Sequence, residues 1–208
     1  MHIPDGFLST PVWASMAVIS IILIFYALSK AKGKLGERSI PLMGMLAAFI
    51  FAAQMLNVPV AAGTSGHMLG GVLAAVLLGP FSASIVMTAV FIVQAIFFQD
   101  GGITALGANI FNMGLIGTLM GYYIYRGLRR VTKQFLASAA VAAWAAVMLA
   151  ASACAIELAI SGTSPLYIVL PAMAGIHAII GLVEAGLTVA VLVYVSRSRP
   201  DLLKLPKV

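Results

Sequence analysis

Charge is the scarcest resource in this chain: among 208 residues there are 12 lysines and arginines and 6 aspartates and glutamates. So few charges cannot cover a soluble surface, and with 62% hydrophobic residues and a mean hydropathy of +1.09 the solvent for most of the exterior must be lipid. Cysteine occurs once, at Cys154, which excludes an intrachain disulfide and any thiolate cluster. Within an apolar run Cys154 reads as a small packing residue. No Gly-x-x-x-x-Gly-Lys-Ser/Thr phosphate loop is present, so the chain has no nucleotide site of that kind. His-Glu-x-x-His and Gly-x-Ser-x-Gly are also missing, which argues against an enzyme. There is no low-complexity stretch and no internal repeat, and residues 1–208 read as a single polytopic membrane domain.

Long apolar runs fill that gap in charge. They fall at about 11–29, 40–56, 68–79, 81–98, 103–125, 136–160 and 172–195. Most approach the ~20 residues that cross a bilayer as a helix. The third is too short to cross alone, and the uncharged segment from Asn57 to Gly66 before it is expected to dip inward as irregular backbone lining a protein cavity. The pattern predicts an all-α integral membrane protein with seven transmembrane helices.

The basic residues choose the orientation. Lys30, Lys32, Lys34 and Arg38 follow the first run; Arg126, Arg129, Arg130 and Lys133 follow the fifth; Arg197, Arg199, Lys204 and Lys207 follow the seventh. With seven passes all three clusters fall on one face, which the positive-inside rule makes cytoplasmic. Six passes would scatter them over both faces, so the charges support the short third span. The N-terminus is then outside and the C-terminus cytoplasmic. The net charge of +6 is a solvated rim beside anionic lipid and calls for no nucleic acid. The first run is preceded by no basic residue and does not read as a cleaved signal peptide. Met1 is expected to persist, because removal of an initiator methionine needs a small second residue and His2 is large.

The outer face receives the polar residues that could do chemistry. The opening Met1-His2-Ile3-Pro4-Asp5-Gly6 places the α-amine, the His2 amide and the His2 imidazole within a few bonds, where they can close two fused chelate rings in one plane. Planar nitrogen donors suit Ni(II) or Cu(II), whereas Zn(II) prefers a tetrahedron and Mg(II) and Ca(II) prefer oxygen. Residues 1–10 are the candidate metal-binding terminus, and 57–67 an outer loop that carries His67. His67 lies in Gly63-Thr64-Ser65-Gly66-His67-Met68-Leu69-Gly70-Gly71, where Ser65 or Thr64 could cap the short helix, and it can supply a fourth in-plane nitrogen. A filled plane leaves no position for a reacting group, which favours holding a metal over activating one.

Other polar residues stand around or below this set. Asp5, Ser65 and Asp100 are candidates to line or support it, as are Asn109 and Asn112, which share a helix face by their spacing. Glu157 and Glu184 lie inside spans, where a carboxylate must face the bundle interior. Glu184 follows His177 by seven residues, so the two share a face. The plain expectation is an internal hydrogen-bonded pair; the sharper one is a proton relay in a standalone carrier or channel using Glu184, Glu157 and His177. Gly44, Ala48 and Ala52 form a small-residue stripe suited to close helix contact, either within the bundle or with another subunit.

Three stretches carry a resemblance: Met1 to Leu8, Gly63 to His67, and Gln99-Asp100-Gly101-Gly102-Ile103-Thr104-Ala105-Leu106-Gly107-Ala108-Asn109 continuing to Asn112-Met113-Gly114. In these the chain resembles the CbiM/NikM family, the substrate-capturing membrane subunits (S components) of energy-coupling-factor importers for cobalt and nickel. The resemblance implies a seven-helix variant of a six-helix S component, with the added helix at the N-terminus, in a prokaryotic plasma membrane. It implies that Met1, His2 and His67 hold a transported Ni(II) or Co(II), with no resident cofactor. It further implies a transmembrane coupling protein, two cytoplasmic ATPases and a small accessory membrane subunit as partners, with the Gly44, Ala48 and Ala52 stripe as a surface for the coupling protein.

Overall fold

The structure is a computed structural model that describes residues 1–32, 35–37, 39–56, 58–59 and 65–204, with the backbone alone at Val58, Pro59, Ser65 and Lys204. Asn57, Gly63 and Thr64, and the basic residues Lys34, Arg38 and Lys207, lie outside the described residues. So does most of the segment from Asn57 to Gly66 for which inward-dipping backbone is expected.

The described chain is helical almost throughout. Its elements are α1 (Thr10–Ala31), α2 (Ser39–Gln54), α3 (Gly71–Leu78), α4 (Pro80–Phe97), α5 (Leu106–Asn109), a π-helical stretch (Ile110–Met120), α6 (Gly121–Thr132), α7 (Phe135–Ile160) and α8 (Leu166–Ser198). A one-turn 3-10 helix follows at Leu202–Lys204, and Val58–Pro59 pairs antiparallel with Ser65–Gly66 as a minimal ribbon. Residues 106–132 run on from α5 through α6, so seven helical rods answer the seven apolar runs. Four helices, α1, α4, α7 and α8, are long and apolar enough to cross a membrane, and α2 is a shorter apolar helix.

The boundaries follow local chemistry. Gly79 at φ 88° and Pro80 at the first position of α4 break α3 from α4, because glycine accepts the left-handed turn and proline needs no N–H donor there. α8 begins six residues before the expected 172, with Pro171 inside the helix. The apolar residues from Leu166 onward continue the helix through the proline. The π stretch carries Gly114 and Gly117, and α3 crosses it so closely that a Cβ on Gly71 would stand 2.8 Å from the Gly117 carbonyl carbon. α3 has Gly70 at its N-cap in the left-handed conformation, while Thr64 and the side chain of Ser65, expected to cap this helix, lie outside the described residues.

α3 is the innermost element: all eight of its residues are buried. At about 1.5 Å per residue it is ~12 Å long and reaches only part-way across a bilayer. The backbone leading into it, Gly66, His67, Leu69 and Gly70, is buried as well, which fits irregular backbone held within protein rather than against lipid.

The molecule has two unlike ends. The connections after α1, α6 and α8 meet at one of them, where one cavity is lined by Glu37, Arg199 and Asp201 and another by Arg129, Phe135 and Leu203. This is the basic end. The first eight residues close the other end, about 39 Å away along the 26-residue α7. Gly44, Ala48 and Ala52 are exposed on α2, whose buried face is Leu42, Leu46, Ile50 and Gln54. The stripe therefore does not serve internal packing.

Candidate metal centre

The N-terminal segment enters the bundle as if it were core. Met1 and Ile3 have no exposed surface, and His2 and His67 are buried beside them. Directed bonds hold it there. Asn109 accepts from Ile3 N–H at 2.8 Å and donates to Ile3 C=O at 3.1 Å, while Gly102 N–H donates to the same carbonyl at 2.9 Å. The Asp5 carboxylate accepts from Ile103 N–H at 3.1 Å, from Thr104 N–H at 2.7 Å, and from the Thr104 hydroxyl. These donors hold the Asp5 carboxyl below its ordinary pKa, the Thr104 hydroxyl foremost. Gly6 turns the chain at φ 83°, and the Thr163 hydroxyl donates to Phe7 C=O. The fit is close: a Cβ on Gly102 would lie 2.3 Å from Asp5 N, and one on Gly101 would lie 3.1 Å from His2 Cδ2.

His2 and His67 meet as a stacked pair, with ring centroids 4.6 Å apart and 25° between planes, and the edge of Phe91 closes over His2 at 5.7 Å. His2 Nδ1 lies 3.2 Å from Asp100 Oδ1, and His2 Nε2 has no hydrogen-bond partner. His67 Nδ1 bonds Met68 C=O at 2.7 Å. A carbonyl only accepts, so the proton sits on Nδ1 and the lone pair on His67 Nε2, which is buried and unpartnered. Two imidazoles in face-to-face contact do not share a plane, so a common coordination plane requires one ring to turn.

Burial decides the protonation of this group. It drives the Met1 amine down to about 5, with Cys154 and Asp100 opposing, so the amine is neutral near pH 7. His2 is lowered by burial, with Asp100 opposing, and His67 is lowered well below its ordinary value by burial and then by the nearby amine. Burial works to raise Asp100, but His2 and the terminal amine together hold the carboxyl below its ordinary value. The result is a cluster of uncharged nitrogens with lone pairs beside one carboxylate. Among the described residues no three His, Cys, Asp or Glu side chains gather in a metal-holding arrangement. A site at this place must therefore take donors from the backbone, and the amine and amide of the first two residues are suited to that.

The remaining expected residues separate by role. Asp100 and Asn109 touch the terminal segment directly, whereas Asp5 ties it to the 103–104 turn. Asn112 does not reach it: its amide donates to Glu157 Oε2 at 2.6 Å. The side chain of Ser65 lies outside the described residues. The expected His177–Glu184 pair is absent. His177 Nδ1 bonds Met173 C=O at 2.8 Å one turn back, and both Glu184 oxygens accept backbone N–H groups from Leu69 and Gly70. The shared face was right, but the cross-bundle partner lay on another element. Two amides were missed, Gln54 and Gln94. Gln94 donates to Gln54 Oε1 at 3.0 Å and Gln54 donates to Leu69 C=O at 2.7 Å. Each is a fully buried polar residue on an apolar helix, which was the available signal.

The described chain is an apolar helical bundle with a buried polar centre at one end, the form of a membrane protein, and comparison with known proteins supplies its family. A solved crystal structure of a transition metal transporter superposes with a TM-score of 0.90 at 36% identity, covering 95% of this chain and 93% of that one. The family model for the cobalt uptake substrate-specific transmembrane region, CbiM, matches residues 2–202, and the chain belongs to that family. A protein of Archaeoglobus fulgidus provisionally named a fused nickel transport protein, NikMN, is 41% identical over 206 residues, 98% of this chain and 68% of its own length. The cobalt transport protein CbiM of Geobacter sulfurreducens is 33% identical over 218 residues, 98% of this chain and 61% of its own. The chain is thus a nickel/cobalt transport membrane protein by family.

Proposed function

We propose that this chain is the substrate-specific subunit of an energy-coupling-factor importer, which captures Ni(II) or Co(II) at its outer face. The observation that carries the proposal is the burial of a neutral terminal amine beside two neutral imidazoles, since a protonated or solvated amine would be a poor ligand. The Met1 amine, His2 amide, His2 imidazole and His67 Nε2 supply four nitrogens. Closing the chelate uses His2 Nδ1, so it turns the His2 ring out of its stack on His67 and exchanges the Asp100 contact at that nitrogen for the metal. Loss of the amide proton on binding makes affinity rise steeply with pH.

The remainder of the assignment follows from topology and charge. Residues 1–208 act as one membrane domain that crosses seven times, with α3 and the buried 66–70 backbone making the third pass together. The basic end faces the cytoplasm and the N-terminus faces outside. With no phosphate-loop motif in its sequence, the chain depends on a coupling protein and two ATPases, with a small accessory membrane subunit, to reorient it and release metal inward. The exposed Gly44, Ala48 and Ala52 stripe on α2 is the surface offered to the coupling protein. The test is competitive titration with Ni(II), Co(II) and Cu(II) of protein beginning at Met1, beside protein carrying one extra N-terminal glycine. The extension displaces the amine and is expected to weaken binding by more than the ~100-fold upper range for outer-sphere partners. Equal affinity in the two proteins would refute the terminal chelate.

A further inference from the structure

Glu184 sits at 1% exposure on a 33-residue helix, where a carboxylate must earn its burial through specific bonds. Its bonds go to two consecutive peptide groups: Leu69 N–H to Oε2 at 2.9 Å and Gly70 N–H to Oε1 at 2.8 Å. Those groups follow His67 by two and three residues and lead directly into α3. From the other side Gln54 on α2 grips Leu69 C=O at 2.7 Å. Gly70 leaves no slack, since it holds φ 77° and a Cβ there would stand 2.8 Å from Ile50 Cγ1. The His67 segment is therefore pinned at three backbone atoms by side chains of α2 and α8, while the His67 ring itself has only Met68 C=O as a hydrogen-bond partner.

We propose that Glu184 is the positioning residue of the metal centre. Its carboxylate, carried by α8, fixes the Leu69–Gly70 backbone and so sets where His67 Nε2 stands. This deepens the function proposed above and rests on His67 being a ligand. α8 runs from this contact to Ser198 at the basic end, 14 residues or about 21 Å. A shift of α8 along or about its axis withdraws the carboxylate, frees His67 and leaves three nitrogens around the metal. Motion imposed by partners at the basic end thereby reaches the binding plane through a single helix, without any group there changing its chemistry.

The experiment follows loss of Ni(II) to excess EDTA from the loaded full-length protein in detergent, together with its visible d–d band. It uses wild type, His67→Ala, Glu184→Gln and the double variant. Glutamine keeps the volume but points an NH2 group at one of the two peptide N–H donors. Glu184→Gln is expected to lose Ni(II) faster by about 10- to 100-fold, the range for outer-sphere partners of metal ligands. Its band should shift to longer wavelength, toward that of His67→Ala. The double variant should lose metal no faster than His67→Ala alone, because both changes remove the same nitrogen. A wild-type rate in Glu184→Gln, or multiplying effects in the double variant, overturns the positioning role and leaves the ligand set standing. A wild-type rate in His67→Ala instead overturns the ligand reading itself. Should Glu184→Gln not fold, Glu184→Asp keeps both acceptor oxygens but draws them back by one methylene; accelerated loss supports the proposal and wild-type retention overturns it.

Discussion

The two ends of this bundle are built from the same helices by opposite means. Along α2 the buried face reads Leu42, Leu46, Ile50, Gln54, and along α8 it reads Val169, Met173, His177, Gly181, Glu184, Thr188, Leu192. α2 turns polar only at Gln54, away from the basic end, whereas α8 carries its buried polar residues mid-helix, between Val169 and Met173 on the N-terminal side and Leu192 on the basic side. At the basic end a core of Leu42, Leu46, Val72, Leu73, Val76, Tyr125, Ala142 and Ala143 is held by shape, with Arg129 laid over Phe135 at 5.1 Å and bonded to the Tyr125 hydroxyl at 2.6 Å. At the N-terminal end Asn109, Gln54, Glu184 and Asp5 fix named peptide groups at hydrogen-bond distance. Apolar contact is non-directional and tolerates sliding, whereas an unsatisfied buried polar group costs about 1–3 kcal/mol, so directed bonds specify one position. Geometry is enforced at the end where the proposed ligands meet, and left to packing where the chain only has to remain folded.

Crossed substitutions offer the hardest test of that division. Leu73→Ala, in the apolar end, is expected to cost about 2–5 kcal/mol of stability, as large-to-small core changes do. It should lower the melting temperature in detergent and leave the Ni(II) spectrum unchanged. His67→Ala should do the reverse: retention falls by ~100-fold or more, beyond the range for outer-sphere partners of metal ligands, while melting barely moves. His177→Ala should weaken retention far less than His67→Ala. A Leu73→Ala protein whose spectrum matches that of His67→Ala would show that the ends are not separable.

Acid should unfasten the N-terminal end specifically. The Met1 amine titrates at about 5 in the fold against an ordinary value of 8.0. Between those values the unfolded chain binds a proton that the folded chain does not, so metal-free stability is complete above pH 8 and declines as pH falls toward 5. The lowered imidazoles of His2 and His67 act in the same direction. Three units for the amine correspond to an upper bound of about 4 kcal/mol. Melting temperatures of the metal-free protein at pH 8, 6.5 and 5 should fall in that order, and N-terminal acetylation should flatten the amine's part of the slope. An unmodified protein whose profile matches that of the acetylated one would mean that the amine is charged in the fold.

How legible the molecule was from sequence depends on which kind of interaction is asked about. Hydropathy located the rods: 11–29 became Thr10–Ala31, and 136–160 became Phe135–Ile160. Pro171 misled the start of α8, because a lone proline resembles a boundary unless the apolar run continues on its far side. The π-helical stretch at Ile110–Met120 left no trace, since a change of backbone pitch does not alter composition. His2 and His67 were brought to one place by topology alone, but their stacking was not readable. Helical period put Glu184 on the correct face and could not show what that face would meet. Its partners are backbone N–H groups, which every residue but proline has, so no side-chain pattern announces them.

Gly44 is the mildest test, and it probes the part of the molecule that belongs to neither end. It lies exposed mid-helix on α2, with nothing within 4 Å of where a Cβ would be. For the isolated chain Gly44→Ala should be neutral to stabilising, by up to about 1 kcal/mol from helix propensity. Gly44→Leu should also leave Ni(II) binding by the isolated chain intact. The two variants separate only when partners are present, because a small-residue stripe matters through the close approach it allows. Co-purification with a coupling protein should survive Gly44→Ala and fall with Gly44→Leu. If both variants co-purify as wild type does, the coupling protein docks on another face, and the small residues of α2 meet only lipid.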